Sequence, residues 1–585
     1  MNIKDLYNQL KATITDRSLV DKEKSNKADE LYILANEAAK KKDCNKKEYL
    51  EFISEYQEFL KNNAKHEKAI LVGNIRLKTS IELFGERHPH VADSYASIGS
   101  SYSSLGEHNE ALEAYKKALN TQWLINGEMH SDVAVSYNNL GTTYKSLGEY
   151  ELALNAYKKA LSICLQLHGN IHHRVAVSYN NIGLIYINQA KYEKALRVFE
   201  KALNIYLQIY GETDSDVAVS YNHIGLVYSK RGEYEMALNH YEKALNIQLQ
   251  IYNETDNEVA RTYNYIGCTY HRVGESKKAM EVFEKALDIY LQNFGEMHYE
   301  VADIYHNVGC IYISWAKYED ALRELEKALK IRLHIYKNMN LDIAMSYNCI
   351  GRVYLDLGEY EKAIKEFKKA LYIRQEFYGE MNPLVADSYH SIGQVHLYKG
   401  DYEKALEIFE KALGIDLQCN GEIHPLVAMS YNNIGDVYMF QEKYEQALEV
   451  FEKALNIRSY IYGELHTDVA SSYNKIGNIH YYQGEFEKAL NLYEKALDIY
   501  LRNFEEIHPD VAITYNNIGL VYEAKEWYKE ALEEYQKALD IYMQVFGNDH
   551  PDTINLITNV ENVAFMLEEN ETERTKIQLN RFKID

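Results

Sequence analysis

The sequence predicts an all-α protein, an α-solenoid in which antiparallel helix pairs stack one on the next. The first observation behind this prediction is a 42-residue period that runs without a shift in register from about Gly85 to Gly547. Such a period indicates one supersecondary unit stacked on copies of itself, because a single unit cannot bury its apolar face alone. One glycine of the unit recurs at Gly99, Gly141, Gly183, Gly225, Gly267, Gly309, Gly351, Gly393, Gly435, Gly477 and Gly519.

The helical pattern inside each unit is the second observation. In the second unit, helix A is predicted over residues 132–147, and helix B follows Gly148. In helix B, Ala153, Tyr157 and Ala160 are spaced as one face of a 3.6-residue helix. The small alanines allow neighbouring helices to approach closely, and the aromatic ring between them supplies a large buried area.

The residues that begin helix A are the third observation. The prolines all occupy its predicted first position, where a missing N–H has no partner to lose. The preceding residue is His, Asp or Asn, and because Asp and Asn are preferred N-caps, the histidines are predicted to cap as well. No shared metal site is expected from these histidines, because each belongs to a different unit. The predicted caps are His88, His130, His172, Asp214, Asp256, His298, Asn340, Asn382, His424, His466, His508 and His550.

The period divides the chain into four predicted segments. Residues 1–43 form an N-terminal helical and charged segment, and residues 44–84 align as a degenerate N-terminal capping repeat. Eleven 42-residue repeats follow over residues 85–546. Residues 547–585 begin another helix A but place Glu561 where the glycine belongs, which predicts a C-terminal capping helix and a charged tail.

Composition limits the classes of function. The net charge of −23 disfavours nucleic-acid binding through phosphate neutralisation and mildly favours basic partners, although it also suits a long, soluble surface. The six cysteines show no CxxC or other ligand spacing, so reduced intracellular thiols are expected, with no metal and no cofactor. The start of the chain has no apolar signal region, and no apolar run reaches the roughly 20 residues of a membrane span. A soluble cytoplasmic protein is predicted.

A family resemblance follows from residues at fixed offsets in each unit. In the second unit these are Tyr137, Leu140, Gly141, Tyr144, Gly148, Ala153, Tyr157 and Ala160. The pattern resembles the tetratricopeptide repeat, and the longer unit with its G-E-x-H-P-D-V-A-x-S-Y-N-N-I-G phrase is similar to the repeats of kinesin light chain and nephrocystin-3. The resemblance implies a right-handed superhelix in which helix A lines a concave, peptide-binding groove. By the same analogy, the protein could be associated with the cytoskeleton or the cilium.

An asparagine ladder is the first candidate binding feature. The position after the helix A aromatic is asparagine in eight units, and the other three carry Ala96, His306 and His390. An amide side chain both donates and accepts, so these residues are predicted to pair with peptide backbone along the groove. Bonding between neighbouring helices, or simple solubility, is the alternative. The eight are Asn138, Asn180, Asn222, Asn264, Asn348, Asn432, Asn474 and Asn516.

Two further candidates come from positions that vary between units. Lys230, Arg261 and Arg272 are predicted to form an anion-binding cluster for a carboxylate or an acidic side chain, with ordinary surface ion pairing as the alternative. Apolar pairs occupy the last turn of helix A in three consecutive units, where an exposed patch would mark an interaction site. Packing against the following helix is the alternative for these pairs, which are Leu397 and Tyr398, Met439 and Phe440, and Tyr481 and Tyr482.

These features predict a non-enzymatic scaffold or adaptor that binds peptides or helices of partner proteins in the groove lined by helix A. The sequence contains no Gly-rich phosphate loop, HExxH, G-x-S-x-G or CxxC motif that would support catalysis. The alternative is a regulatory sensor whose superhelix changes shape when a ligand binds and so controls an effector.

Overall fold

The structure is a computed structural model that describes residues 2–16, 21–41, 44–63, 65–336, 340–504 and 507–581. Throughout these ranges the secondary structure is helical, and no strand occurs in them. The chain divides into two compact units, Met1–Ile185 and Tyr186–Asp585. None of the helices in the described ranges is both long and apolar enough to cross a membrane.

The helices occur in pairs along the chain, and the boundary between the two units falls within the ninth helix. Those that begin in the first unit are α1 (Ile3–Thr15), α2 (Asp21–Ala39), α3 (Lys46–Asn62), α4 (His66–Phe84), α5 (Pro89–Ser104), α6 (His108–Asn126), α7 (Ser131–Ser146), α8 (Tyr150–His168) and α9 (His173–Asn188). Those of the second unit are α10 (Tyr192–Tyr210), α11 (Ser215–Lys230), α12 (Tyr234–Ile251), α13 (Asn257–Val273), α14 (Ser276–Phe294), α15 (Tyr299–Ser314), α16 (Tyr318–Tyr336), α17 (Leu341–Asp356), α18 (Tyr360–Tyr378), α19 (Pro383–Tyr398), α20 (Tyr402–Asn420), α21 (Pro425–Phe440), α22 (Tyr444–Tyr462), α23 (Thr467–Tyr482), α24 (Phe486–Asn503), α25 (Pro509–Ala524), α26 (Tyr528–Val545) and α27 (Pro551–Arg581).

This arrangement confirms the predicted all-α solenoid. From α5 onward, odd-numbered helices are helix A and even-numbered helices are helix B, and within each unit the helices pack chiefly against their neighbours along the chain. The predicted segment boundaries fall between helices, at 43/44, 84/85 and 546/547, but the capping roles of the end segments stay predictions. The division into two units after Ile185 was not predicted.

The recurring glycine lies where helix A approaches helix B of the same repeat. In α7, a Cβ added to Gly141 would lie 2.6 Å from Cε1 of Tyr157, and in α21 a Cβ on Gly435 would lie 2.5 Å from Cε1 of Phe451. Both distances are shorter than carbon atoms tolerate, so no larger residue fits without moving the ring. The aromatic rings are fully buried, which makes this contact the centre of each repeat.

All twelve predicted N-caps are confirmed. In each case the side chain accepts a hydrogen bond from the backbone N–H two residues later, as His130 Nδ1 does from Asp132 over 3.2 Å. A ring that accepts through Nδ1 carries its single proton on Nε2, so the capping histidines are neutral. The other bonds are equivalent and occur at His88, His172, Asp214, Asp256, His298, Asn340, Asn382, His424, His466, His508 and His550.

The turn between helix A and helix B keeps its shape where its glycine is replaced. Gly148 has φ of 75°, in the left-handed region, and Ala190, Ala316, Glu442 and Glu526 adopt φ of 52–60° at the equivalent place. Left-handed backbone costs a non-glycine residue roughly 1–2 kcal/mol. The packing of the two flanking helices therefore outweighs the local preference of these four residues.

The close approach of the helices predicts the effect of adding one methyl group. Gly477→Ala places a Cβ 2.6 Å from Cε1 of Tyr493, so we expect the free energy of unfolding to fall by about 1–3 kcal/mol. Gly414→Ala is the matched control, because Gly414 lies inside α20 with no atom within 4 Å of an added Cβ. That variant should be more stable by about 0.5–1 kcal/mol. Urea unfolding followed by circular dichroism measures both, and equal effects would contradict the packing role.

Candidate functional site

The asparagine ladder lies between repeats. Five of its eight side chains bond to helix A of the next repeat, and one of these bonds joins Asn222 Nδ2 to Thr262 Oγ1 over 2.9 Å. Thr262 in turn donates to Gln248 Oε1 over 2.7 Å, which continues the network into helix B. The other four bonds are Asn474 to Thr514, Asn264 with Asn307, Asn348 with Ser391 and Asn516 with Asn559.

The remaining three asparagines face inward as well. In the orientation that pairs donors with acceptors, the Asn432 amide oxygen accepts from the Arg458 guanidinium at 2.8 and 2.9 Å. Asn180 is buried, and Asn138 is half-buried. Four ladder residues have a buried side-chain oxygen that accepts no hydrogen bond from the described residues, namely Asn138, Asn180, Asn222 and Asn474. In this conformation the ladder connects neighbouring A helices, and a ligand could reach these four oxygens only where the helices separate.

The three predicted anion-binding residues do not form one cluster. Arg261 is near the start of α13 and is paired with Glu258 at 2.8 Å and with Glu300 at 3.2 Å. Arg272 is eleven residues further along the same helix, about 16 Å away at the helical rise. The expectation that Arg261 belongs to the site is therefore wrong, because its charge is already neutralised.

Lys230 and Arg272 do come together. Partial desolvation and the neighbouring Arg272 guanidinium lower the pKa of Lys230. Among the described residues, no carboxylate lies within 4.0 Å of either cation. The pair lies at the ends of α11 and α13, and it is the part of the predicted cluster that the structure brings together.

The apolar pairs divide into an inner and an outer residue. Leu397 is only 7% exposed and packs in the core with Ala405 and Phe409, so its predicted place in an exposed patch is wrong. Met439 and Tyr481 are half-buried against the next repeat. The first residue of each pair faces the core, as the packing alternative expected.

The outer residues form an exposed aromatic stripe. Tyr398 is 58% exposed, Phe440 47% and Tyr482 58%. Each ends its A helix, α19, α21 or α23, so the three recur at one position of consecutive repeats. Two are stacked on the first residue of the adjacent helix B, with ring centroids 6.4 Å apart for Phe440 and Tyr402 and 6.2 Å apart for Tyr482 and Tyr444.

Contacts between distant repeats of the second unit were not predicted. His508, the cap of α25, brings its Nε2 to 3.4 Å from the carbonyl oxygen of Arg272, 236 residues earlier at the end of α13. Since its Nδ1 accepts from the Asp510 N–H, the Nε2 carries the proton and donates it. The caps His424, His466 and His550 approach the backbone of Asn188, Arg231 and Ser314, although Nε2 of His424 and of His466 makes no hydrogen bond within the described residues. We call this line of contacts, from the ends of α9–α15 to the starts of α21–α27, the interturn seam.

Packing along the interturn seam supports the hydrogen bonds. A Cβ added to Gly274 would lie 3.1 Å from Cδ2 of His508, so the turn backbone and the cap are in contact. Tyr234 stacks on Phe504 with ring centroids 6.0 Å apart. Tyr192 and Tyr462 form a second such stack, also at 6.0 Å. The second unit therefore forms a solenoid whose successive turns touch.

Burial in the seam alters the titration of the caps. Desolvation lowers the pKa of His508 to about 4, although the bond to the Arg272 carbonyl acts in the opposite direction. Desolvation also lowers the pKa of His424, His466 and His550. The hydrogen bond that Nδ1 of each cap accepts from the backbone requires a neutral ring.

A second unpredicted grouping brings together His306, Cys310 and Cys349. One donor atom from each lies within 4.8 Å of the other two, and His306 Nε2 is 3.7 Å from Cys349 Sγ. His306 and Cys310 are one turn apart on α15, and Cys349 is on α17, helix A of the next repeat. His306 and Cys349 replace the asparagine that is commonest at their repeat positions, whereas the position of Cys310 varies between repeats. They are the side chains best placed to hold a metal ion in the described part of the chain.

Comparison with known proteins gives the following matches. A family model described as tetratricopeptide repeat matches residues 132–208, 216–292, 281–333, 342–418, 426–502 and 510–573, and another of the same description matches residues 92–122. No curated protein matches the chain.

Solved structures with similar folds include two proteins. BtubC (BKLC) from P. vanneervenii is 21% identical, with a TM-score of 0.32 over 43% of this chain and 92% of that one. A Podosopora anserina putative kinesin light chain with nearly identical TPR-like repeats has two such structures. One of its two structures, that of a substituted form, is 19% identical, with a TM-score of 0.30 over 34% of this chain and 94% of that one. Its other structure is 18% identical, with a TM-score of 0.29 over 34% and 95%.

The seam predicts a pH-dependent contribution to stability. An exposed histidine titrates near 6.5, whereas the pKa of folded His508 is about 4, so between these values the unfolded chain binds a proton that the folded chain does not. The stability that neutral His508 contributes is complete above about pH 6.5 and is lost as the pH falls toward 4. His508→Asn keeps a capping side chain and removes the titrating ring, so its stability should fall less on acidification.

Urea unfolding at pH 7 and pH 4.5 measures this difference. Burial raises the pKa of Asp510 to about 6, which favours the folded state on acidification, but Asp510 is present in both proteins and its effect is shared. His130→Asn is the matched control, because His130 caps α7 and its side chain is 42% exposed. A pH dependence that is the same in the His508 variant and the wild type would contradict the role of the seam.

Proposed function

Because the chain belongs to the tetratricopeptide repeat family, we propose that it is a non-enzymatic scaffold or adaptor that binds segments of partner proteins along its A helices. Tetratricopeptide repeats generally mediate protein–protein interactions, and stacked repeats present extended binding surfaces. The proposal places the protein in the cytoplasm, where its six cysteines, all free thiols, stay reduced.

The exposed aromatic stripe of Tyr398, Phe440 and Tyr482 is the observation that carries the proposal. Three aromatic side chains at one position of consecutive repeats leave exposed apolar surface in water, and such surface usually marks interaction sites. Tyrosine and phenylalanine are enriched at protein interfaces because they bury much area with few rotatable bonds. The stripe fits an apolar segment of a partner, extended or helical.

The place of the stripe in the repeat strengthens this assignment. Its three residues occupy the repeat position that Lys230, Arg272 and Ser314 occupy two to six repeats earlier. At Arg272 and Ser314 that edge is covered by the caps of a later turn, which form the interturn seam. The stripe lies on the same edge in later repeats, where each of its three side chains is exposed. A partner would thus bind on an edge that the fold itself uses for packing.

The other predicted site residues take subsidiary roles in the proposal. Lys230 and Arg272 would receive an acidic side chain or carboxylate of the partner, since no described carboxylate neutralises them. The eight ladder asparagines set the spacing between A helices, and peptide backbone would reach their amides only where neighbouring A helices separate. In this proposal Lys230, Arg272 and the aromatic stripe select the partner, whereas the asparagine ladder holds neighbouring A helices together in every part of the solenoid.

A regulatory sensor is the second candidate function, and the interturn seam favours it. The seam is held by single hydrogen bonds and ring stacks, so a ligand that binds more tightly to the open form could part the turns. Small-angle scattering with and without a bound partner separates the two functions. A scaffold keeps its radius of gyration, whereas a sensor changes it.

Substituting the three stripe residues should reduce the set of partner proteins that the chain captures. Tyr398→Ser/Phe440→Ser/Tyr482→Ser takes away the exposed apolar surface without touching the core residue of each pair, so proteins captured by the wild-type chain should be lost. Tyr372→Ser/Tyr460→Ser is the matched control, because both tyrosines are exposed on helix B. Quantitative mass spectrometry of proteins captured from lysate measures the change, with circular dichroism to confirm folding.

The charged pair gives a second arm of the same experiment. Lys230→Glu/Arg272→Glu should lose the subset of partners whose capture weakens most with salt, because this contact is electrostatic. Lys365→Glu/Lys368→Glu on α18 makes the same charge change on exposed helix B residues. Retention of every wild-type partner by both the stripe variant and the charge variant would overturn the proposed binding surface.

A further inference from the structure

The geometry of His306, Cys310 and Cys349 points to a metal site, and we propose that the second unit binds one thiophilic divalent ion, with Zn²⁺ as the best fit, through these three side chains. The ion would be held between helix A of two consecutive repeats, α15 and α17. This goes beyond partner binding and does not depend on it.

The distances between the donor atoms suit such an ion. Zinc lies about 2.3 Å from a thiolate and about 2.0–2.1 Å from an imidazole nitrogen, which places the ligand atoms of a tetrahedral site about 3.5–3.8 Å apart. His306 Nε2 and Cys349 Sγ are 3.7 Å apart, and no pair in the group exceeds 4.8 Å. Rotations of the cysteine side chains about χ1 are enough to close the remaining distance.

The three donor side chains are also shielded from water to the extent expected of a metal site. His306 is only 7% exposed, and its Nδ1 has no hydrogen-bond partner in the described chain. The imidazole is therefore not committed to a strong partner that would hold the Nε2 lone pair away from an ion. Both cysteines are half-buried on the facing helices.

The donor set selects the class of ion. Two thiolates and an imidazole favour zinc and other soft or borderline ions, whereas magnesium and calcium require oxygen ligands. Binding of Zn²⁺ displaces one proton from each thiol, so two protons leave for each ion bound. The two thiolate charges balance the charge of the ion, and a neutral site of this kind can be half-buried at low cost. The fourth position is open to water or to a ligand from a partner.

The neighbouring Cys268 provides a contrast within the same region. Its Sγ is 3.7 Å from Asn264 Oδ1 and 3.7 Å from Asn307 Nδ2, so the thiol is already engaged with amides of the ladder. It is not one of the three mutually close donors. The proposal therefore assigns it no role as a ligand, and Cys268→Ser becomes the matched control.

Zinc titration of the full, reduced chain tests the site. Competition against a chromophoric chelator should show one Zn²⁺ per chain, released again by a strong chelator. Cys310→Ser, Cys349→Ser and His306→Gln should each weaken binding by more than about 100-fold, since even an outer-shell partner is worth about 10–100-fold. Cys268→Ser and Cys164→Ser should bind as the wild type does. Circular dichroism shows whether each variant remains folded.

Two further readouts identify the ligands without depending on the variants. Bound zinc should protect Cys310 and Cys349, but not the exposed Cys419, from alkylation mapped by mass spectrometry. Cobalt(II) in place of zinc should show a thiolate charge-transfer band and a tetrahedral visible spectrum. Absence of stoichiometric binding would overturn the proposal, as would equal affinity in the Cys310 and Cys268 variants. Redox chemistry would be the role of the pair instead if Cys310 and Cys349 form a disulfide in air and the reduced chain takes up no zinc.

Discussion

The contact between the helix A glycine and the large side chain of helix B is the constraint on which the rest of the structure depends. An absent Cβ lets the ring of Tyr157 or Phe451 lie against the backbone of the facing helix. Because each repeat touches mainly its neighbours, the spacing set by this contact fixes the angle to the next repeat. Repeated without a change in register, that angle brings α13 and α25 together across 236 residues.

Local features could be predicted from the sequence because they are encoded within one repeat. The exchange of His with Asp and Asn at one position was enough to predict the caps, and all of them are confirmed, including His508. The interturn seam could not be predicted, because it arises from small angles summed over six repeats. The residues on its earlier side, such as Arg272 and Ser314, carry no shared signal. A cap whose Nε2 also reaches another turn looks the same in sequence as one that does not.

The candidate site shows the same limit. Adjacent residues of a helix point in different directions, so the inner Leu397 and the outer Tyr398 do not belong to one exposed patch. Arg261 pairs with Glu258 at i,i+3 on its own helix, which the local sequence indicates, and with Glu300 of the next repeat, which it does not. The 42-residue period does bring the thiol group together. Cys349 aligns with residue 307 of the preceding repeat, which lies beside His306 and Cys310. The group is visible when the cysteines are aligned by their position within the repeat, and not when only their spacing along the chain is considered.

Regular positions therefore build the solenoid, and departures from regularity distinguish one stretch of it from another. The stripe, the charged pair and the thiol group are all departures on helix A. Hydrogen–deuterium exchange of the full chain with and without a captured partner tests this account most directly. Slower exchange confined to the ends of α19, α21 and α23 and to the turns that follow them, around Tyr398, Phe440 and Tyr482, is the predicted result. Protection confined to helix B, with those ends unchanged, would contradict it.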